Sequence, residues 1–477
     1  MSYIKRPTTI VIFGATGDLN RKKLMPALFD LYTKSLLPKQ FRIVGFSRQK
    51  LTHDAYRSFV RNVIEQKGHK HSSRDVDIFL DHLFYCPGLF EDAASYGNLS
   101  KFLYEQDEKL GQCSCKLFYL AVPPNFYDTI FQNVADSGLS IPCAGDNGWT
   151  RILVEKPFGK DLLTAQELDK KLGLLFDEDQ IFRIDHYLAK ETLENILAFR
   201  FSNSIFQPAW NNKYIGKVHI QLFEDSGVGK RGAFYDGVGA LRDVGQNHIL
   251  QMLALIAMED PGVFEAKKIR LERENVIQSL RAFSREECEE YTVKGQYTEY
   301  RREEGVLPQS NVETYFYITA FIDNERWRGV PFHLEGGKRM YKKKTEITVY
   351  FKKLDSCVYK LDDNSSEYGN VLKFVIQPEE KISVRFWVKK PGFGMKLEPQ
   401  LLTFSYEDTS GSKHFPDAYE KLFLSTLEGD QTLFTSSREV EAAWEFITPI
   451  MEYWRDKEPV LYGRGCKEGG IPLMGNT

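Results

Sequence analysis

The sequence predicts a fold in two parts, an α/β part with a parallel sheet and an α+β part built on a large, mainly antiparallel sheet covered by helices. In the first third of the chain, short apolar segments alternate with stretches of helical periodicity, a pattern that indicates a parallel sheet covered on both faces. After residue 183 the segments instead alternate apolar with polar residues, which is typical of antiparallel strands with one covered face.

The strands predicted in the first part are short, mainly apolar segments, and the last two of them stop at proline or glycine. Two of them, Thr8–Phe13 and Phe41–Arg48, flank a glycine turn and a helical run, and two more lie at Lys116–Pro124 and Arg151–Gly159. The strands predicted in the second part are residues 217–225, 314–323, 345–351, 371–378 and 381–390. Because 477 residues exceed what one core holds, we place a domain boundary near residue 184, which gives parts of 1–184 and 185–477.

Composition and charge exclude several classes of function. The formal net charge is −3 and 42% of the residues are hydrophobic, so no global positive field attracts nucleic acid. No apolar run reaches the roughly 20 residues that span a bilayer, and no long apolar segment precedes the first glycine turn. Seven scattered cysteines predict free thiols in a reducing compartment. We therefore expect a cytoplasmic protein with no nucleic-acid, membrane or metal partner.

The segment Gly14–Lys23, GATGDLNRKK, lies between the first strand and the first helix. Glycines there let the backbone approach a pyrophosphate, and the helix N-terminus supplies free N–H donors. The spacing is shorter than the full G-x-G-x-x-G pattern, so a plain tight turn is the alternative.

The next strand ends in Arg48, with no acidic residue before Asp54, and an arginine suits the 2′-phosphate of NADP. These features predict a Rossmann-type domain that binds NADP, with a solvated Arg48 as the alternative.

A lysine follows the fourth predicted strand, at the edge where the strands of this sheet should end. Glu155–Gly159, EKPFG, closes that strand, and the carboxyl ends of parallel strands line the ligand crevice of such folds. Because Lys156 precedes Pro157, its backbone is held extended and its side chain is aimed reproducibly. An ordinary surface lysine is the alternative.

The stretch Arg183–Glu191, RIDHYLAKE, concentrates side chains that bind anions. If a helix begins near His186, then His186 and Lys190 are four residues apart and share one face, with Tyr187 beside them. An imidazole, a phenol and an ammonium that converge form a cradle for a phosphate dianion. Asp185 could cap the helix or point elsewhere. A capped surface helix with an incidental histidine and lysine is the alternative.

A second histidine lies where a buried helix should begin. The run Ile249–Met258 is almost continuously apolar, His248 precedes it directly, and Asp243 lies five residues earlier. A partly buried histidine held by a carboxylate is the usual form of a general base near neutral pH. On local sequence alone, Asp243 is the partner of this base. A core histidine with satisfied hydrogen bonds is the alternative.

Together these motifs resemble one family closely, the glucose-6-phosphate dehydrogenases. The matching segments come in the family's order and extend from about residue 8 to about residue 460. They are GATGDL, FRIVGFSR, KLFYLAVPP, EKPFG, RIDHYLAKE, RDVGQNHILQML and GGKRMYKKK. RIDHYLAKE has Ala189 where glycine is usual in the family. The resemblance implies oxidation of β-D-glucose 6-phosphate at C1 to 6-phospho-D-glucono-1,5-lactone by hydride transfer to NADP, the first step of the oxidative pentose phosphate pathway.

The resemblance also implies a role for each matched residue. His248 is expected to be the base that takes the C1-hydroxyl proton, and Asp185, rather than Asp243, is expected to orient it. The implied substrate-binding residues are Lys156, His186, Tyr187, Lys190, Glu224, Asp243, Lys338 and Lys343. The implied cofactor-binding residues are Gly14, Thr16, Gly17, Asp18, Leu19, Lys23, Arg48, Tyr85, Glu155 and Lys156. No metal is required, and the implied assembly is a homodimer or homotetramer formed through the large sheet.

Some positions depart from the family's pattern. Animal members carry a second, structural NADP site, which Lys344 matches, but Thr348 and Val375 stand where the family has arginine, so we expect no second site. Lys343 stands where many relatives have arginine, so a point charge replaces a bidentate fork.

Two other functions stay open. A sugar oxidoreductase of the glucose–fructose oxidoreductase type would act on unphosphorylated sugars, and the phosphate cradle disfavours it. A non-catalytic NADP-binding regulator would keep the fold without the chemistry. The presence of both Asp185 and His248 disfavours that function.

Overall fold

The computed structural model describes residues 6–66, 72–142, 148–353, 369–394, 396–406 and 415–467. Its strands are β1 (Thr8–Phe13), β2 (Phe41–Ser47), β3 (Leu83–Pro87), β4 (Cys115–Leu120), β5 (Thr150–Val154), β6 (Ile181–Ile184), β7 (Ile215–Phe223), β8 (Thr292–Tyr297), β9 (Tyr315–Ala320), β10 (Phe332–Gly337), β11 (Lys344–Phe351), β12 (Val371–Gln377), β13 (Lys381–Lys389), β14 (Leu397–Ser405), β15 (Phe434–Thr435) and β16 (Val460–Tyr462). Its α-helices are α1 (Met25–Thr33), α2 (His53–Gln66), α3 (Ser73–Asp81), α4 (Ala93–Leu110), α5 (Tyr127–Asp136), α6 (Leu162–Leu175), α7 (Glu191–Ser202), α8 (Gly232–Tyr235), α9 (Leu250–Ala257), α10 (Ala266–Gln278), α11 (Arg285–Tyr291), α12 (Ala418–Glu428) and α13 (Ser437–Trp454). Two π-helical stretches, Asn20–Leu24 and Leu241–Ile249, lead into α1 and α9. None of the helices in these ranges is long and apolar enough to cross a membrane.

The first sheet has seven strands in the order β15-β6-β5-β4-β1-β2-β3. Strands β1 to β6 run parallel to one another. All six residues of β1 are buried, as expected for a central strand covered on both faces. The four predicted strands are confirmed, although β4 and β5 end several residues before the prolines and glycine that follow them. Strands β3 and β6 complete the parallel part.

The second sheet has nine strands in the order β14-β13-β12-β11-β7-β10-β9-β8-β16. The pairs β7–β10 and β8–β16 are parallel and the other pairs are antiparallel, which confirms the mainly antiparallel sheet. Along β7, Val218, Ile220 and Leu222 enter one apolar core with α9 and α13, while His219 and Gln221 lie on the opposite face. The five predicted strands correspond to β7, β9, β11, β12 and β13.

The last described part of the chain returns to the first sheet. Strand β15 adds an antiparallel edge beside β6, with Phe434 opposite Ile184. Helix α12 packs on α1, and its Leu422, Phe423 and Leu427 belong to the same apolar core as residues of β1. The carboxyl-terminal half therefore supplies part of the core of the first sheet, and the boundary near residue 184 stays a prediction.

A buried ion pair holds this returning segment in place. Arg273 of α10 donates from Nε to Glu439 Oε1 at 2.9 Å, and neither side chain is more than 1% exposed. The same guanidinium donates to the carbonyl oxygens of Thr432 and Phe434 at 2.9 and 2.7 Å. Glu439 also accepts from the backbone N–H of Ser436 at 2.7 Å and so caps α13. One arginine thus joins α10 to both β15 and α13.

One cysteine departs from the prediction of free thiols. Cys113 is disulfide-bonded, so the prediction is wrong at this position, whereas Cys86, Cys115, Cys288 and Cys466 are free. Spacing in the sequence does not reveal such a bond, because the fold decides which cysteines meet.

Candidate active site

Loops after four strands meet at one edge of the first sheet. Each loop begins directly after its strand: Gly14 follows β1, Ala121 follows β4, Glu155 follows β5 and Asp185 follows β6. Because the strands are parallel, their carboxyl ends lie together, where ligands bind in such folds. Cavities of about 490, 390 and 300 Å³ adjoin here: the first two share Ala121 and the last two share His186. Their shared lining residues place them side by side along this edge, and together we call them the crevice.

The largest cavity is bounded by the glycine turn and the end of β2. Gly14 has a φ of +82°, and a Cβ at this position would lie 2.3 Å from the carbonyl oxygen of Ala121, so only glycine fits. The N–H of Gly17 donates to Gly14 O at 2.9 Å and closes the turn. Gly14, Thr16 and Gly17 all line the cavity. A ligand can therefore approach the backbone closely at this turn.

Arg48 lies at the rim of this cavity on a braced turn. Its side chain is exposed, and no ion pair holds it within the part of the chain that the structure describes. Beneath the turn, the buried Tyr85 hydroxyl donates to Gln49 O at 2.6 Å and lies 3.2 Å from Ser47 Oγ. Thr16 Oγ1 lies 2.9 Å from the same Ser47 oxygen. Tyr85 thus braces the turn that carries Arg48, and its expected contact with the cofactor stays a prediction.

Three further expected cofactor residues lie at the entry to α1. Asp18 is exposed and pairs with Lys22 at 2.9 Å, and this contact lowers the pKa of the Asp18 carboxyl. Leu19 lines the middle cavity. Lys23 lines the third cavity, where its Nζ lies 3.2 Å from Asp417 Oδ2. The structure thus brings Leu19 and Lys23 to the crevice, whereas the Asp18 carboxylate faces a cation of its own helix.

The EKPFG segment contributes two neighbouring side chains to the middle cavity, Glu155 and Lys156. Glu155 Oε1 accepts from the Tyr119 hydroxyl at 2.6 Å, and its carbonyl oxygen accepts from the Tyr127 hydroxyl at 2.9 Å. Burial raises the pKa of the Glu155 carboxyl. Tyr419 of α12 lines this cavity and the third. It is absent from the sequence prediction, because nothing in its local sequence links it to β5.

The base expected from the sequence has a carboxylate on one ring nitrogen and an ammonium on the other. His248 Nδ1 lies 2.6 Å from Asp185 Oδ1, and both side chains are almost fully buried. His248 Nε2 lies 2.9 Å from Lys156 Nζ. Asp243 does not take the place that local sequence suggested: its carboxylate lies 3.6 Å from Lys156 and 3.6 Å from Lys338. The local assignment of Asp243 to His248 is therefore wrong, and Asp185 occupies that position.

The surroundings of Asp185 and His248 keep the aspartate deprotonated and the imidazole neutral. Burial tends to raise the pKa of Asp185, but His248, His186 and Lys156 outweigh it and lower the pKa to about 2. Burial lowers the pKa of His248, Asp185 opposes this effect and Lys156 adds to it. The pair therefore consists of a carboxylate and a neutral imidazole near neutral pH, which is the state that a general base needs.

The RIDHYLAKE stretch is not helical where a helix was expected. Helix α7 begins at Glu191, and Lys190 is its N-cap. Residues from Asp185 form two tight turns instead, in which Leu188 N donates to Asp185 O and Lys190 N donates to Tyr187 O. Asp185 Oδ1 accepts from the N–H of Tyr187 at 3.0 Å and lies against His248, so it stabilises the first of these turns and does not cap α7. The prediction of a helix from His186 is therefore wrong.

The turns nevertheless bring the three expected anion-binding side chains together. The Tyr187 ring stacks on His248 with 4.1 Å between centroids, and His186 meets the same imidazole at 4.8 Å. Lys190 Nζ lies 5.2 Å from the centre of the Tyr187 ring. Burial, followed by His248, lowers the pKa of His186 to about 3, so His186 offers a hydrogen bond rather than a charge. The positive charge of the cradle comes from Lys190.

Lysines from other elements extend this cradle. Lys23 and Lys190 line the third cavity together. Burial lowers the pKa of Lys190, Glu380 opposes this effect, and Lys343 and Lys23 add to it. Lys343 itself is exposed. The lysines thus form a cationic group whose mutual repulsion an anion would relieve.

A second polar group is linked to Lys156 through Asp243. Lys338 is buried, forms a close ion pair with Glu224, and lies 3.6 Å from Asp243 Oδ2. Its Nζ also lies 4.9 Å from the centre of the Tyr235 ring. Burial tends to raise the pKa of Asp243, but Lys156 and Lys338 outweigh it and lower the pKa. Fixed carboxylates and ammonium groups of this kind can accept from and donate to several hydroxyl groups of one ligand.

Gln377 is a second residue that the sequence did not indicate. It lies at the end of β12, and its Nε2 donates to the Tyr187 hydroxyl at 3.2 Å. Burial raises the pKa of Tyr187 to about 12, so the phenol stays protonated. No periodicity or motif joins residues separated by 190 positions, and only the packing of β12 beside the cradle reveals the contact.

Comparisons with known proteins match one family over nearly the whole chain, including all the residues that line the crevice. The family model described as "Glucose-6-phosphate dehydrogenase, NAD binding domain" matches residues 11–195, and "Glucose-6-phosphate dehydrogenase, C-terminal domain" matches residues 197–470. The chain is 40% identical over 468 residues to the glucose-6-phosphate 1-dehydrogenase of Borreliella burgdorferi, covering 96% of this chain and 94% of the relative. It is 38% identical to that of Bacillus subtilis, covering 93% and 91%.

Solved structures agree with the sequence comparison. A glucose-6-phosphate dehydrogenase in complex with its substrate glucose-6-phosphate superposes with a TM-score of 0.90 at 32% identity, covering 100% of this chain and 99% of that one. A levoglucosan dehydrogenase has a TM-score of 0.53 at 10% identity, covering 95% and 98%, and so shares the fold alone. The chain belongs to the glucose-6-phosphate dehydrogenase family.

Proposed function

We propose that this enzyme oxidises C1 of β-D-glucose 6-phosphate to 6-phospho-D-glucono-1,5-lactone with NADP as the hydride acceptor, the first step of the oxidative pentose phosphate pathway. One observation carries the proposal. The imidazole of His248, held by Asp185, lies against a phosphate cradle that begins one residue after that aspartate. The same crevice continues into the cavity at the glycine turn.

The residues around the largest cavity fit a dinucleotide. A Cβ at Gly14 would collide with Ala121 O, so the turn packs against the loop after β4 only with glycine at this position. Gly14 and Gly17 line the cavity, and a pyrophosphate could approach their backbone closely. Gly14, Thr16, Gly17 and Arg48 would hold the cofactor, with the exposed guanidinium of Arg48 available to a 2′-phosphate. The bound nicotinamide supplies the acceptor for the hydride that leaves C1.

His248 would act as the general base. Its neutral Nε2 takes the proton of the C1 hydroxyl while the C1–H electron pair leaves as hydride and the C1–O bond becomes a carbonyl. The imidazolium that forms is stabilised by the Asp185 carboxylate, 2.6 Å from Nδ1. Because that carboxylate has a pKa of about 2, it stays charged throughout and orients the ring.

The substrate would be bound at both ends. His186, Tyr187 and Lys190, with Lys343 nearby, would bind the 6-phosphate, since ammonium groups and a phenol donate well to a dianion. The sugar hydroxyls would meet a second set of side chains. This set is Lys156, Glu224, Asp243 and Lys338.

The activity can be tested by the absorbance of reduced nicotinamide. Purified protein is supplied with glucose 6-phosphate and either NADP or NAD, and free glucose serves as the control substrate. We expect reduction that requires the 6-phosphate and is faster with NADP. Equal reduction with free glucose would assign the enzyme to the unphosphorylated-sugar oxidoreductases. Binding of NADP without any reduction would favour a non-catalytic regulator.

Arg48→Ala should weaken NADP binding by about tenfold or more, because a charge-assisted hydrogen bond contributes roughly 1.5–3 kcal/mol. NAD binding should change little, since NAD lacks the 2′-phosphate. Dissociation constants for both nucleotides, measured by calorimetry, check this. Lys50→Ala removes an exposed charge two residues away and is the matched control. Equal losses for both nucleotides in Arg48→Ala would mean that Arg48 does not read the 2′-phosphate.

We expect one NADP per subunit. Lys344, which matches a residue of the structural NADP site of animal members, is buried and donates to Gln221 Oε1 at 2.7 Å and Glu346 Oε1 at 3.2 Å. Its charge is therefore already compensated inside the sheet, and Thr348 adds no cation beside it. Calorimetric titration should give a stoichiometry near one per chain, and a value near two would contradict this expectation.

A homodimer or homotetramer formed through the large sheet is also proposed. Strand β14 lies at the edge of that sheet and exposes 65% of Leu401, 63% of Leu402 and 42% of Phe404. Apolar side chains on an open sheet edge favour association with a second copy. Light scattering should give a mass of two or four chains, and a monomer at micromolar concentration would refute the proposal.

A further inference from the structure

Resting on the proposed function of His248 as the base, we propose that Lys156 prepares this base in the free enzyme by donating a hydrogen bond to the nitrogen that later takes the substrate proton. Lys156 would thus have a task beyond contact with sugar or cofactor. It is a positioning residue that selects the tautomer and the protonation state of another side chain.

The contacts of Lys156 determine the tautomer and the protonation state of the His248 imidazole. Its Nζ lies 2.9 Å from His248 Nε2 and donates to the carbonyl oxygen of Asp243 at 2.6 Å. An ammonium group has donors and no acceptor, so its contact with Nε2 requires the lone pair of a neutral ring. On the other side, Asp185 Oδ1 accepts from Nδ1. The two contacts together select the Nδ1–H tautomer with a free electron pair on Nε2.

The other neighbours of His248 act differently. The groups that face it are Asp185, Asp243, Lys156, His186 and Tyr187. Burial is the largest cause that lowers the pKa of His248, the two aspartates raise the pKa, and Lys156 lowers it. His186 and Tyr187 contact the ring through their own rings at 4.8 and 4.1 Å. Lys156 is therefore the contact that opposes protonation at Nε2 itself.

Substrate binding must change this arrangement. The C1 hydroxyl has to occupy the position at Nε2 that the ammonium holds in the free enzyme, and Lys156 keeps an anchor on Asp243 while it yields that position. Once the proton has reached Nε2, the imidazolium and the ammonium repel each other. This repulsion favours loss of the proton to solvent, and it returns His248 to the neutral form for the next substrate.

The test is the titration of His248 in the full-length, substrate-free protein. Histidine is labelled with ¹³C at Cε1, and the His248 signal is identified by its loss in His248→Asn. In Lys156→Met the midpoint should rise by about one pH unit, because a like charge beside the ring is removed. Lys156→Arg retains a charge at the ring, and Lys190→Gln removes one from the cradle, so both should stay close to the wild type. Asp185→Asn should shift the midpoint in the opposite direction.

An unchanged midpoint in folded Lys156→Met, with circular dichroism as the check of folding, would overturn the proposal. Should that variant not fold, Lys156→Gln gives the same comparison. The acid limb of kcat/KM should move to higher pH in step with the midpoint, whereas a uniform loss at all pH values would indicate a binding role alone and overturn it. Absence of any glucose 6-phosphate oxidation by the wild type would refute the proposed function, and the titration would still decide the role of Lys156.

Discussion

Replacing His248 with asparagine should lower kcat by a factor of at least about 10²–10⁴, the usual contribution of a general base. The amide can retain a hydrogen bond to Asp185, but it has no basic nitrogen to take the C1-hydroxyl proton. The ring also stacks on Tyr187 at 4.1 Å, so a side chain of similar polarity and smaller size disturbs the cradle less than a charged one. Steady-state rates at saturating substrate measure the effect.

Binding of glucose 6-phosphate to the same variant should remain nearly intact, because Lys190 and Tyr187 are still present. Calorimetry checks this, and Lys190→Gln is the complementary variant: it should weaken binding while it retains most of kcat. If kcat of His248→Asn falls by less than about tenfold, another group takes the proton. A parallel loss of substrate affinity would instead mean that the substitution has distorted the cradle.

Arg273→Met should destabilise the protein by about 3–5 kcal/mol, because it leaves the Glu439 carboxylate buried without its charge partner. The arginine is 1% exposed and its guanidinium also serves two carbonyl oxygens around β15, so β15 and the start of α13 lose their common anchor. The midpoint of urea unfolding, followed by circular dichroism, measures the loss. No change in the midpoint would mean that β15 is held by other contacts.

Two further variants separate charge from packing. Arg273→Met combined with Glu439→Gln removes the uncompensated charge and keeps an acceptor for Ser436 N, so the double variant should be more stable than the single one. Arg281→Met breaks an ion pair with Asp323 whose side chains are 38% and 50% exposed. That change should cost no more than about 1 kcal/mol.

Strands that are bounded by turn-forming residues could be predicted from the sequence alone. Thr8–Phe13 and Phe41–Ser47 are mainly apolar segments next to glycine or polar turns, and their positions are confirmed. Strand β15 could not be predicted, because Phe434–Thr435 is two residues long and exists only through its pairing with β6. A periodic pattern can be recognised only over several residues. A two-residue strand is defined instead by its pairing with another strand, which the sequence does not show.

The site divides in the same way. The residue types of His248 and of the RIDHYLAKE stretch predict their chemistry, but they place the start of the helix at His186, whereas α7 begins at Glu191. The sequence does not show that Asp185 faces His248, a contact across 63 positions, or that the residues after Asp185 form two turns before the helix begins. Proximity in sequence suggests Asp243 as the partner of His248, because a nearby carboxylate is usually the one that contacts a histidine. Here Asp185, which is distant in sequence, takes that contact.

The return of the chain to the first sheet has a consequence for synthesis on the ribosome. Residues up to Ile184 emerge first, yet the edge strand at Phe434–Thr435 and the apolar residues of α12 that complete this core emerge much later. At about 5–20 residues per second, the roughly 250 intervening residues take about 12–50 s. During that time β6 is an open edge, which is a template for pairing with other chains. The period in which the nascent protein is exposed to misassembly is therefore set by the path of the chain, and it is longer than the size of the first sheet would suggest.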